Sequence, residues 1–136
     1  MSSKKNIAAQ QAFGGAVNDD NLAALNDLVS AQVVDHDPAA GQGPGPQGYR
    51  DLFSKMRTAF PDLHIDVEHL TADGDDVAFA YTMTGTHQGP LRGHGPTGKS
   101  VSIRGMQISR FDNGLLVERW GSSDELGMMT QLGLVS

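Results

Sequence analysis

The residues with the greatest chemical reach in this chain lie near its C-terminus, in the run Glu118-Arg119-Trp120-Gly121-Ser122-Ser123-Asp124-Glu125-Leu126. Asp124 follows the only tryptophan by four residues, at the point where an alternating strand pattern gives way to a short apolar helix pattern. A carboxylate beside a large aromatic ring suits proton exchange with an apolar ligand. Desolvation raises a carboxyl pKa, and general acid/base catalysis works best when that pKa nears the operating pH. A second use stays open: Ser122-x-x-Glu125 fits a capping box, and acids in a first helical turn complement the helix dipole. The two uses pull against each other, because amides at a helix start favour the ionised carboxylate and lower its pKa.

Other groups qualify as partners. His36, in Asp35-His36-Asp37-Pro38, suits a hydrogen bond to a substrate carbonyl or a proton relay, and equally a surface turn. Arg104, set mid-strand between Ile103 and Gly105, must reach a carboxylate or water. Glu118 and Asp124 are candidate partners, polarising a carbonyl is another use, and an exposed or interface arginine is the plain alternative. Trp120 and Glu118 are two apart and so share a strand face, which makes Trp120 a pocket wall or a core residue. Tyr81 and Gln107 fall on central strands as polar pocket groups, with the face of each left open. His87 and His94, seven apart across glycines, fit no compact metal motif and read as loop residues; no His-Glu-x-x-His motif occurs. Asp73, Asp75 and Asp76 form a polar turn with too few oxygen ligands for calcium. No metal is expected.

Composition narrows the classes. The chain has 136 residues, enough for one core, and is read as a single domain over 1–136. Its net charge of -6 comes without a basic stripe, which argues against a nucleic-acid partner. No apolar run is long enough to span a bilayer, and Met1 to Gln11 lacks the apolar core of a signal peptide, so a cytoplasmic location is expected. The absence of cysteine removes disulfides, thiol nucleophiles and thiolate metal sites.

Elements that must position these groups follow from periodicity. Residues 5–18 read as a weak helix, and Leu22, Leu25, Leu28 and Val29 share a second helical face. Val33-Val34 suggests a short strand, followed by a Pro/Gly-rich loop over 38–48. Tyr49, Leu52, Phe53, Met56 and Phe60 carry the spacing of an amphipathic helix stopped by Pro61. Leu63, Ile65 and Val67 alternate as a strand, and Asp73-Gly74-Asp75 turns it into a second strand with Val77, Phe79, Tyr81 and Met83 on one face. A glycine-rich loop over 89–98 leads to a third long strand ending near Phe111, and Asn113-Gly114 is a type I′ hairpin signal returning through Leu115 to Trp120. Leu126, Met129 and Leu132 give a short terminal helix stopped at Gly133. Helices first and a meander after them predict an α+β fold with an antiparallel sheet. The helices suffice for one sheet face, leaving a pocket between sheet and helices. The other face needs cover from a partner, which predicts a homodimer.

Read in order, the motifs Phe60-Pro61-Asp62-Leu63, Gly85-Thr86-His87-Gln88-Gly89, Gly93-His94-Gly95-Pro96-Thr97-Gly98-Lys99, Arg110-Phe111-Asp112-Asn113-Gly114, Glu118-Arg119-Trp120, Asp124 and Gln131-Leu132-Gly133 resemble the SnoaL-like polyketide cyclase family. Val34-Asp35-His36 and Gly48-Tyr49-Arg50 also fit, and the likeness covers roughly residues 20 to 134. The resemblance implies the NTF2-like (ketosteroid-isomerase-like) cone: a curved antiparallel sheet, about three N-terminal helices over one face enclosing a pocket, and a short C-terminal helix. It also implies an intramolecular aldol closure of a small hydrophobic, polyketide-like ketone, without metal or cofactor. Asp124 matches the family's general acid/base, and His36 matches a position at the pocket rim. The fold hosts several functions. Two others remain: a non-catalytic small-molecule binder, and an NTF2-like epoxide hydrolase, which wants an Asp-Arg-Asp set that Arg104 and Asp124 supply only in part. The homodimer is expected through the outer sheet face.

Overall fold

The structure, a computed structural model, describes residues 3–135. Helix α1 (Ser3–Asn18) buries Phe13, Ala16 and Val17, the stripe that its weak periodicity allows. The second predicted helix is a 3₁₀ turn over Leu22–Asp27, with Leu25 fully buried. Strand β1 (Val29–Asp35) follows, then α2 (Gly45–Ala59). Helix α2 begins four residues before the apolar repeat that predicted it, because Pro46 has its φ already set for a first helical turn.

Four long strands complete the sheet: β2 (His64–Asp73), β3 (Asp76–Thr86), β4 (Ser100–Asp112) and β5 (Leu115–Ser123). The order across the sheet is β1-β5-β4-β3-β2. The β2–β5 meander is antiparallel, as the hairpin signals require, and Asn113 and Gly114 both take positive φ (51° and 80°) in the β4–β5 turn. Strand β1 runs parallel to β5, so the sheet is mixed and not antiparallel throughout. The long connection through α2, β2, β3 and β4 brings the chain back in the same direction, which a tight hairpin cannot do.

Strand β4 shows how the sheet divides its faces. Val101, Ile103, Ser109 and Phe111 are buried, while Ser102, Arg104, Met106, Ile108 and Arg110 are exposed. The inner face meets the helices: α1 lies over β2 and β3, α2 beside β1, and the terminal helix α3 (Glu125–Gln131) against β4. Phe60, Phe111, Leu116 and Leu132 are almost wholly buried between these layers. Each such side chain contributes about 1.5–3 kcal/mol relative to exposure. Gly133, at φ 75°, ends α3, and the amides of Gly133 and Leu134 return to Thr130 and Met129 carbonyls.

Candidate active site

Alternation along β5 decides what faces the interior. Arg119 and Gly121 pair across the sheet with Ser109 and Gln107, on the inner side; Glu118 and Trp120 pair with Arg110 and Ile108, on the outer side. On β1 the same rule turns Asp35, paired with Arg119, inward. The carboxylate of Asp35 is 7% exposed. It accepts from Tyr49 Oη at 2.7 Å, from Arg119 Nη1 at 3.0 Å, from the Asp37 amide at 2.9 Å and from Gln42 Nε2 at 3.4 Å. Arg119 is fixed in turn: Nε donates to Gln107 Oε1 at 2.8 Å and Nη1 to the Asp37 carbonyl at 3.2 Å. Gln107 passes the network to the fully buried Ser109 hydroxyl at 2.9 Å. The Asp37 carboxylate accepts from the Gly121 amide at 2.9 Å, which fastens the end of β1 to β5.

Burial raises the Asp35 pKa, but the hydrogen bonds from Tyr49 and the Asp37 amide, with the Arg119 charge, outweigh it and hold the carboxyl below its ordinary value. Burial and the Asp35 carboxylate together push the Tyr49 phenol well above its usual range, so it stays a donor. A buried ion pair tolerates this desolvation only because each lone pair and proton is matched. Beside the cluster a cleft of about 340 Å³ is lined by Val33, Asp35, Gln42, Tyr49 and the Gly43–Gly45 loop. A wider groove, about 490 Å³, lies between α1 and the β4–β5 turn; its lining of Lys5, Ala8, Ala9, Asn113 and Gly114 holds no acid/base pair.

Two strand glycines shape the inner wall. A Cβ at Gly121 would collide with the Arg119 guanidinium, and one at Gly105 with the Tyr81 ring. Tyr81 therefore lies across Gly105 on the inner face, next to Phe79 (5.8 Å between centroids), and burial raises its pKa. The inner side of β5 thus runs from Arg119 past Gly121 to Ser123, which pairs with Gly105 beside the Tyr81 ring.

The residues singled out from the sequence divide between the faces. Tyr81 and Gln107 lie inside. Trp120, read as a pocket wall, is on the outer face because its neighbour Arg119 takes the inward position. Glu118 shares that face, where it meets His36 Nε2 at 2.6 Å, and His36 stacks on Trp120 at 4.8 Å. Arg104 also points outward and pairs with Glu68 at 3.4 Å, not with Glu118 or Asp124. Asp124 is exposed and is itself the N-cap of α3, accepting from the Gly127 amide at 2.8 Å; Ser122, the predicted cap, remains in sheet pairing with Met106. His87, read as a loop residue, is fully buried, its Nδ1 accepting from the Thr97 amide at 3.2 Å, and it clamps the base of the glycine-rich loop. Arg92 ties that loop to Glu125 at 3.1 Å.

Asp35, Tyr49 and Arg119 are site residues that residue type and spacing alone do not single out. The available signals were the glycines inside β4 and β5, since a strand glycine marks a close approach by another group. The Val33-x-Asp35 alternation was the other.

A cone of helices over one face of a five-stranded mixed sheet, with a polar cluster set in its inner wall, defines an NTF2-like fold. The chain belongs to the SnoaL-like polyketide cyclase family, whose profile matches residues 7–132. TsrD from Streptomyces laurentii superposes with a TM-score of 0.89 at 22% identity, covering 99% of each chain. AclR from Streptomyces galilaeus, a candidate hydroxylase, gives 0.86 at 28% identity over 99% of this chain and 100% of its own. IdmH from Streptomyces antibioticus, a candidate polyketide cyclase, gives 0.82 at 29% identity over 94% and 98%. No curated protein matches the sequence.

Proposed function

We propose that this chain is a cyclase- or isomerase-type enzyme that moves a proton at a carbon beside a ketone of a polyketide-like substrate, with Asp35 as its acid/base. The observation that carries this reading is a nearly buried carboxylate that lines a cleft and is held by a phenol and a guanidinium. In the aldol route, the Asp35 carboxylate takes the proton alpha to the carbonyl and the C–H electron pair moves into an enolate. The enolate carbon forms a C–C bond to a second carbonyl, and the new alkoxide recovers the proton from Asp35. Arg119 has Nε and Nη1 engaged, and no hydrogen bond to Nη2 occurs among the described residues. Nη2, above Gly121, is the donor available to the enolate oxygen, where a preorganised charge stabilises the transition state. Tyr49 positions Asp35. A carboxylate stabilised by several donors is a weak base, which matches a carbon acidified by two flanking carbonyls. Family membership and the candidate assignment of IdmH agree with this chemistry.

Asp124 matches the family's acid/base position and is the competing carboxylate. Its exposure and its hydrogen bond to Gly127 support the capping role, and His36 and Arg104 lie on the other face of the sheet.

One observation favours a second reading. Arg119 Nη1 donates to the Asp35 carboxylate and to the Asp37 main-chain carbonyl, while the Asp37 carboxylate accepts from the Gly121 amide; two aspartates thus stand beside one arginine, part of the Asp-Arg-Asp set that a water-adding NTF2-like hydrolase wants. Incubating the protein with a panel of polyketide methyl esters and of epoxides in ¹⁸O-water separates the two. Ring closure or isomerisation makes or moves bonds within the ester without taking up solvent oxygen, whereas hydrolysis puts one ¹⁸O into an epoxide-derived diol. Esters converted without label are the expected result; labelled diols, or tight binding with no turnover, overturn it.

A further inference from the structure

The loop beside the cleft carries a side chain that the proton transfer leaves unused. Ala39, Ala40, Gly41 and Gln42 form a tight turn, closed by the Gln42 amide on the Ala39 carbonyl at 3.0 Å. Gly41 takes a φ of 77° at the third position, where such a turn favours glycine. The Gln42 side chain folds back across the turn: its Oε1 accepts from the Ala39 amide at 3.0 Å, and its Nε2 donates to Asp35 Oδ2 at 3.4 Å. The side-chain amide has one orientation only, because a backbone N–H donates and a carboxylate accepts. A Cβ at Gly48 would collide with the Gly43 carbonyl, so the loop lies directly on the first turn of α2. The two oxygens of Asp35 are held unequally. Oδ1 accepts from the Asp37 amide at 2.9 Å and from Arg119 Nη1 at 3.0 Å. Oδ2 accepts from Tyr49 at 2.7 Å, but its contacts with Arg119 Nη1 at 3.3 Å and Gln42 at 3.4 Å are longer than a normal N–H···O bond. Gln42 makes the longest of these contacts, and it lines the cleft.

We infer that Gln42 is a second catalytic donor: it leaves Asp35 Oδ2 when substrate enters and holds the carbonyl that the enolate attacks. This rests on Asp35 as the acid/base. The exchange costs little, because the bond given up is the longest at the carboxylate and the Ala39 amide keeps Oε1 in place. Arg119 approaches Asp35 chiefly through Oδ1 and Gln42 through Oδ2, so the two donors flank the carboxylate. A dicarbonyl folded over Asp35 then has its enolate oxygen at Arg119 and its acceptor carbonyl at Gln42. In the ring-closing step the enolate carbon forms the C–C bond, and the acceptor C=O π pair moves onto its oxygen beside Nε2. The proton on Oδ2 passes to that alkoxide and restores the Asp35 carboxylate. A neutral amide suffices on this side because the charge is quenched as it forms, whereas the enolate charge lasts until the bond closes and takes the guanidinium. The site thereby selects a substrate class: a ketone whose second carbonyl folds back over the first, not a lone ketone.

Incubating polyketide methyl esters in D₂O with wild type, Gln42→Met and Asp35→Asn, and subtracting enzyme-free exchange, tests this. Deuterated ester plus ring product counts proton removals, and the ratio of the two reports the step that follows. Gln42→Met should lower ring closure by about 100-fold, the scale for one oxyanion donor, and leave the count of proton removals no lower than in wild type. The Asp35 carboxylate with one donor fewer is no weaker a base. Equal losses of proton removal and closure, as a merely structural role in the turn predicts, overturn the inference; so does closure at the wild-type rate. Asp35→Asn identifies a failure of the underlying reading, because it should lose proton removal itself. Removal that persists there, or a wild type that converts no ester, refutes Asp35 as the base and the role of Gln42 with it.

Discussion

Burial works against the Asp35 carboxylate, but hydrogen bonds from Tyr49, the Asp37 amide and Arg119 favour its ionised form, so its folded pKa lies below the ordinary 3.8. A depressed carboxyl pKa adds stability above the unfolded value, and that stability is lost as pH falls through the folded value. Tyr49 works in the opposite sense: its raised pKa adds stability below the ordinary 10.0 that is lost in strong base. The wild-type melting temperature should therefore stay level from neutral pH down to mild acid and drop only below the ordinary carboxyl pKa. Tyr49→Phe should lower stability by about 1.5–3 kcal/mol at neutral pH, the usual loss for a hydrogen bond to a charged group, and show a shallower acid decline, because the folded Asp35 pKa rises toward the unchanged unfolded value. Thermal melts across pH measure both effects; coincident acid limbs for the two proteins would contradict the shift. Asp124 acts at the same scale through one hydrogen bond to Gly127. Asp124→Ala should cost about 1 kcal/mol and Asp124→Asn less, because asparagine also caps. Urea unfolding at neutral pH reads this difference.

The strands were legible wherever one face is buried, because period-two alternation and the Asn113-Gly114 turn fix both type and register. The parallel partner of β1 was not legible, since no local pattern in Val29–Asp35 says which edge of the sheet it joins. Site residues failed for a related reason. Periodicity says that Arg119 and Trp120 face opposite ways, not which of them faces in; aromatic bulk pointed to Trp120, and the buried Asp35 partner chose Arg119. Gly121 is the device that makes the arginine fit. Gly121→Ala should displace the guanidinium and lower kcat/KM by about 100-fold, the scale expected of an ångström-sized misplacement, while the fold persists by circular dichroism. At the end of β4 left free by β5, Gln131 bonds both the amide and the carbonyl of Ser102, at 2.8 Å and 3.0 Å. Gln131→Ala should speed amide exchange at Ser102 and leave Ile108, deep in the ladder, unchanged.

At the level of the molecule, the sheet has one side that holds the polar cluster and one that bears an apolar band, and the same strands serve both. Asp35 alternates with His36, Gln107 with Ile108, and Arg119 with Trp120. Proton transfer is assigned to the buried carboxylate in the wall and not to the helix cap. Rates of polyketide methyl ester turnover in Asp35→Asn and Asp124→Asn, assayed side by side under conditions where both are folded, test it most directly. Loss of about 100-fold or more in Asp35→Asn, with Asp124→Asn close to wild type, is the predicted result; the reverse pattern would contradict it.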